Sequence, residues 1–243
     1  ALFKHSTIKS MANRYIRILE QITSNPEILI KDISLLNKEE YKELIYTNNQ
    51  TDKAYPQTTI HELFVKQASK TPENIALVYE DTSLSYKELD RLSNQLARVI
   101  QTEYKLQSSN TLKADTLIAL CLDRSLDMII AILATLKAGG AYVPIDPSYP
   151  NERIAYILED TNTSLILTQS HLKDKLDTLI EEHKSINTAK NINHTSSTNN
   201  RVSIIPIDEY NYQTQDDTQL SSIATPDSLA YVIYTSGTTG KPK

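Results

Sequence analysis

All four glycines of this chain lie in two short segments, Gly139-Gly140 and Gly237 with Gly240. At an average usage of about 7%, a chain of this length would carry roughly 17. Glycine so scarce is placed where a side chain would obstruct the backbone. The two segments are therefore the positions where the fold, or a ligand, most constrains the main chain.

The 243 residues are enough for one or two domains with a real core, and 40% of them are hydrophobic. Lys+Arg number 25 against 30 Asp+Glu, a net charge of −5. That balance, without a basic block, argues against nucleic acid or an anionic membrane as the main partner. The longest apolar runs, Leu117–Leu122 and Met128–Ala134, fall short of the roughly 18 to 20 residues a membrane span needs. A single cysteine, Cys121, excludes an internal disulfide and a Cys-rich zinc site, so the cytoplasm is the expected compartment. The chain opens Ala-Leu-Phe-Lys-His and stops at Gly-Lys-Pro-Lys directly after a glycine-bearing loop, so it reads as a fragment.

Hydrophobic periodicity organises the rest. Ile8, Met11, Ala12, Tyr15, Ile18, Leu19 and Ile22 form a helical stripe that ends at Asn25-Pro26, and a second helix is predicted over Lys38–Ile45. A polar linker, Tyr46–Pro56, follows. Thr59 with Glu62, and Ser85 with Glu88, have the spacing of capping boxes that open two further helices. Strands are predicted at Asn74–Tyr79, Thr116–Leu122, Ala141–Ile145, Ser164–Thr168, Val202–Ile207 and Leu229–Tyr234. Helices are predicted at Leu126–Ala138, Asn151–Leu158 and Leu172–Ile180, the first so apolar that full burial follows. This alternation predicts an α/β fold with a largely parallel sheet flanked by helices. The polar stretch Lys184–Asn200 reads as an exposed, mobile loop.

One segment carries candidate chemistry. Thr235-Ser-Gly-Thr-Thr-Gly-Lys-Pro-Lys243 follows an apolar strand with four hydroxyls, two glycines and two lysines. Such a loop can cradle a polyphosphate: glycines let N–H groups converge, hydroxyls donate and ammoniums offset charge. The same composition also serves as ordinary loop punctuation. It is not a Walker A loop, because Gly237 and Gly240 are too close and Pro242 follows Lys241 where a Ser or Thr would hold magnesium.

Leu229-Ala-Tyr-Val-Ile-Tyr-Thr-Ser-Gly-Thr-Thr-Gly-Lys-Pro-Lys243 resembles the phosphate-binding signature of the adenylate-forming superfamily. Leu136-Lys-Ala-Gly-Gly-Ala-Tyr-Val-Pro-Ile-Asp-Pro-Ser-Tyr-Pro150 resembles the second core motif of nonribosomal peptide synthetase adenylation domains. Leu84-Ser-Tyr-Lys-Glu-Leu89, continuing to Ser93–Arg98, is similar to the first, and Thr59–Phe64 to the opening helix. The resemblance implies a condensation-domain tail over 1–45, a linker over 46–57, and the N-terminal part of an adenylation domain over 58–243. It implies that Thr235, Ser236, Gly237, Thr238, Thr239, Gly240, Lys241 and Lys243 hold ATP phosphates, with Thr235, Thr238 and Lys243 in direct contact. It also implies an aminoacyl adenylate as product, magnesium with the phosphates, and condensation and carrier domains in cis, the carrier with its phosphopantetheine arm. Activity is expected of the intact enzyme and not of this chain alone. A related acyl-CoA ligase, or a non-catalytic remnant acting as a docking or scaffold piece, is the alternative.

Other residues read as structural. Gly139-Gly140 and Asp146 fit a helix cap, a strand and a Pro-rich turn. Cys121 reads as a buried small side chain. His5, His61, His171, His183 and His194 are scattered, with no metal-binding spacing. Glu159-Asp160 and Glu181-Glu182 read as solvated helix ends.

Overall fold

The computed structural model describes residues 2–189 and 202–235. The chain divides into two compact units, Ala1–Pro56 and Gln57–Lys243. In the first, helix α1 (His5–Ser24) realises the apolar stripe but leaves it uncovered, with Ile8, Met11, Tyr15 and Leu19 each more than 40% exposed. Helix α2 (Lys38–Lys42) starts with an Asn37–Glu40 capping box and passes into a wide π turn, Glu43–Thr47, so the expected helix to Ile45 changes winding at its end.

The second unit is built on a four-stranded parallel sheet of order β4-β3-β5-β6. Its strands are β3 (Leu117–Cys121), β4 (Ala141–Ile145), β5 (Leu165–Thr168) and β6 (Ser203–Pro206). Alternation along β3 sends Ile118 and Leu120 into one core with helices α4 (Tyr86–Ser108) and α5 (Leu126–Ala138). Ala119 and Cys121 face a second core with α6 (Asn151–Thr161) and α7 (Ser170–Ala189). Both faces of the sheet are thus covered, as a parallel sheet requires. Helix α3 (Ile60–Lys70) packs on α4 and α5.

Both predicted capping boxes form. The Thr59 hydroxyl accepts from Glu62 N–H at 3.3 Å and the Glu62 carboxylate accepts from Thr59 N–H at 3.0 Å. At Ser85 and Glu88 the corresponding distances are 3.2 and 2.9 Å. Helix α5 ends in a Schellman arrangement, with Gly139 at φ 97° and bonds from Gly139 N–H to Leu136 and from Gly140 N–H to Thr135. A Cβ on Gly140 would sit 2.9 Å from the Thr116 carbonyl oxygen, so the close approach of helix end to strand requires glycine there.

Three sequence expectations are corrected. The segment at Asn74–Tyr79 does not join the parallel sheet. It forms β1 (Ile75–Tyr79), antiparallel to an unanticipated β2 (Thr82–Ser85), in a separate hairpin. Helix α7 continues through Lys184 to Ala189, where a loop was expected; residues 190–200 of that loop lie outside the described residues. The strand expected at Leu229–Tyr234 reduces to one parallel bridge, Tyr142 with Tyr231. Its two ladder bonds run from Tyr142 N–H to Ala230 and from Val232 N–H to Tyr142. The next donor position on β4 is Pro144, which has no N–H, so the following ladder bond is lost.

Candidate nucleotide site at the carboxyl end of the sheet

Open parallel sheets bind ligands beyond the carboxyl ends of their strands. Here those ends frame a cleft of about 560 Å³. Leu122, Asp123 and Arg124 enter it after β3, Asp146, Pro147 and Tyr149 after β4, and Ile233 and Tyr234 from the segment beside β4.

The polar groups are fixed by local bonds. Asp146 accepts from Ser148 N–H at 2.8 Å and from the Ser148 hydroxyl at 2.7 Å, an Asx turn. These bonds hold its carboxyl below the usual range, with the nearby Arg124 guanidinium adding to the effect. Asp123 N–H donates to Gln169 Oε1 at 2.9 Å, and the Asp123 carboxylate meets His171 Nε2 at 2.8 Å, which ties the ends of β3 and β5 together. Arg124 is the one cation among the described residues lining the cleft, and it is exposed. Cys121, 1% exposed beneath the cleft floor, has its thiol pushed up to about 11 by burial and is inert as a nucleophile.

Of the loop residues singled out in the sequence, Thr235 is described and is exposed, directly after Tyr234 at the cleft. Ser236, Gly237, Thr238, Thr239, Gly240, Lys241 and Lys243 lie outside the described residues. Among the described residues no group of three or more His, Cys, Asp or Glu side chains that could hold a metal ion collects. No helix among them is long and apolar enough to cross a membrane.

The other motifs do structural work. Asn94, Gln95 and Arg98 on α4 donate to the carbonyls of Asp217, of Gln213 and Gln215, and of Asp216 and Thr218, strapping residues 213–218 onto the helix. Lys137, in the second motif, is buried against α4. Its ammonium donates to Asp90 Oδ1 and Ser93 Oγ at 2.7 Å and to Asn94 Oδ1 at 2.8 Å.

Sequence reasoning missed Asp123, Arg124 and Tyr149, because their meeting depends on strand order; the signal that could have found them is their place just after predicted parallel strands. Asp160 stands at the exposed end of α6, as expected, with one partner that the sequence did not announce. The structure shows its carboxylate accepting from the Tyr234 hydroxyl.

The model of the family described as AMP-binding enzyme matches residues 64–243. The chain belongs to that family. It is 42% identical over 243 residues to gramicidin S synthase 2 of Brevibacillus brevis, covering all of this chain and 5% of that protein. It is 40% identical to tyrocidine synthase 3 of Brevibacillus parabrevis, again over the whole chain but only 3% of the relative. Among solved structures, the nonribosomal peptide synthetase FmoA3 bound to α-methyl-L-serine-AMP superposes with a TM-score of 0.69 at 22% identity, covering 99% of this chain and 24% of that one. The o-succinylbenzoate CoA synthetase of Bacillus subtilis, in complex with its acyl-adenylate intermediate, gives 0.54 at 27% identity over 74% of this chain and 40% of that one. The fold is that of the N-terminal region of adenylate-forming enzymes.

Proposed function

We propose that this chain is the ATP-phosphate-binding part of a peptide synthetase module that activates an amino acid as its aminoacyl adenylate. In this reading residues 1–45 are the tail of a condensation domain, 46–57 the linker, and 58–243 the first part of the adenylation domain. The observation that carries it is the course of residues 229–235 along the edge of β4 to the cleft at the carboxyl end of the sheet. Thr235-Ser-Gly-Thr-Thr-Gly-Lys-Pro-Lys243 follows directly from there. The full-chain match to large synthetases supports the same assignment.

The chemistry asked of the loop is electrostatic. A substrate carboxylate oxygen bonds to the α-phosphorus of ATP, the bond from that phosphorus to the β-bridging oxygen breaks, and pyrophosphate leaves. Backbone N–H groups freed by Gly237 and Gly240, the hydroxyls of Thr235, Ser236, Thr238 and Thr239, and the ammoniums of Lys241 and Lys243 would stabilise the charge on the leaving group. Magnesium enters as the counter-ion of ATP, part of the substrate. The adenylate then serves a phosphopantetheine thiol on a carrier domain in cis.

Replacing Thr238 by Ala in the intact module is expected to slow amino-acid-dependent ATP–pyrophosphate exchange at least tenfold, about 1.4 kcal/mol of transition-state stabilisation. An unchanged exchange rate would remove the loop from the reaction.

A further inference from the structure

We propose that Tyr234 and Asp160 form an anchor that positions the phosphate loop, a role that rests on the adenylating function proposed above. Backbone pairing holds the chain beside β4 only as far as Val232, since Pro144 cannot offer the next N–H. Three residues later the loop motif begins. The span between is instead held by a side chain: the Tyr234 hydroxyl donates to the Asp160 carboxylate, near the end of α6. One helical turn earlier on α6, Tyr156 meets the Tyr234 ring edge-on, with centroids 6.4 Å apart and planes at 89°. Asp160 and Tyr156 are spaced four apart, so they share a helix face and grip the tyrosine at two points.

Burial and the adjacent Asp160 carboxylate both push the Tyr234 pKa up, which favours the protonated phenol as the donor. α6 in turn is fixed to the sheet by Ile154 and Ile157, both fully buried. Thr235, the first residue of the loop motif, therefore follows directly from a side chain held by the helix that packs on the same face of the sheet as Val232 and Tyr234. Small misplacements of groups aimed at a transition state carry large rate costs, so such an anchor matters to turnover.

The test is a double-mutant cycle in the intact module, read by amino-acid-dependent ATP–pyrophosphate exchange, with Thr238→Ala run alongside. Tyr234→Phe and Asp160→Ala are each expected to lower kcat roughly tenfold, leave KM for the amino acid unchanged, and shift the melting temperature little. The double variant is expected to be no slower than either single one, because the pair acts as a unit. Asp160→Asn, which keeps an acceptor oxygen, is expected to recover most of the rate. Thr238→Ala slow with Tyr234→Phe at the wild-type rate would overturn the anchor alone. Additive single effects, or a lowered melting temperature with an unchanged kcat, would do so too. If Thr238→Ala is itself without effect, the phosphate-loop reading falls and takes the anchor with it.

Discussion

His61 is a titratable group in the wrong solvent. Its side chain lies within α3 at 6% exposure, with Nε2 at 3.2 Å from both the Thr59 and the Ser222 hydroxyls. Burial lowers its pKa below 6.5, Glu62 opposes the shift, and Lys137 adds to it. Glu62 keeps its charge in the same range, held to about 2 by bonds from Thr58 and Thr59. Between the folded-state pKa and 6.5 the unfolded chain binds more protons than the folded one, so stability rises with pH across that window and falls on acidification. Thermal melts from about pH 7.5 down to about pH 5 are expected to show this loss in the wild type and a shallower slope in His61→Gln. Parallel slopes in the two proteins would mean that His61 does not titrate differently on folding.

At the scale of elements, the joint between α5 and β4 leaves no room for a side chain at either of its two glycines. Gly139 holds a left-handed φ with Ile223 Cβ 2.9 Å from where its own Cβ would be, and Gly140 lies against the Thr116 carbonyl. Alanine at Gly139 is expected to cost about 1–2 kcal/mol from the backbone alone. Gly140→Ala is expected to cost at least as much, because the Thr116 carbonyl just ahead of β3 must move. Each should lower the melting temperature by several degrees, about 2–4 °C per kcal/mol for a chain of this size; an unchanged melt would show that the joint relaxes freely. This joint was readable from sequence, as were the capping boxes and α5, because each is set by residues within a few positions of one another. What was not readable is set by distant or weak signals. Thr82–Ser85 offers only Leu84 as an apolar residue, so β2 escapes periodicity. The strand beside β4 stops because of Pro144, nearly ninety residues away in sequence from the segment it interrupts. Lys184–Ala189 contains one large apolar residue, and helix continues there without a patterned face to announce it.

The molecule as a whole consists of an α/β unit with two hydrophobic cores and an N-terminal unit in which none of the described residues is buried. The loop proposed to hold phosphate was singled out by local composition and its resemblance to a known motif, whereas the cleft needed the strand order and the Tyr234–Asp160 contact needed the tertiary fold. The adenylating function proposed above requires an enzyme that cleaves ATP at the α-phosphorus in response to an amino acid. The direct measurement is product analysis of ATP labelled at the α-phosphorus, incubated with the intact module and a pool of amino acids. Labelled aminoacyl adenylate and AMP, formed with release of pyrophosphate and only when an amino acid is present, are expected. Labelled ADP with orthophosphate, formed whether or not an amino acid is present, would contradict that function.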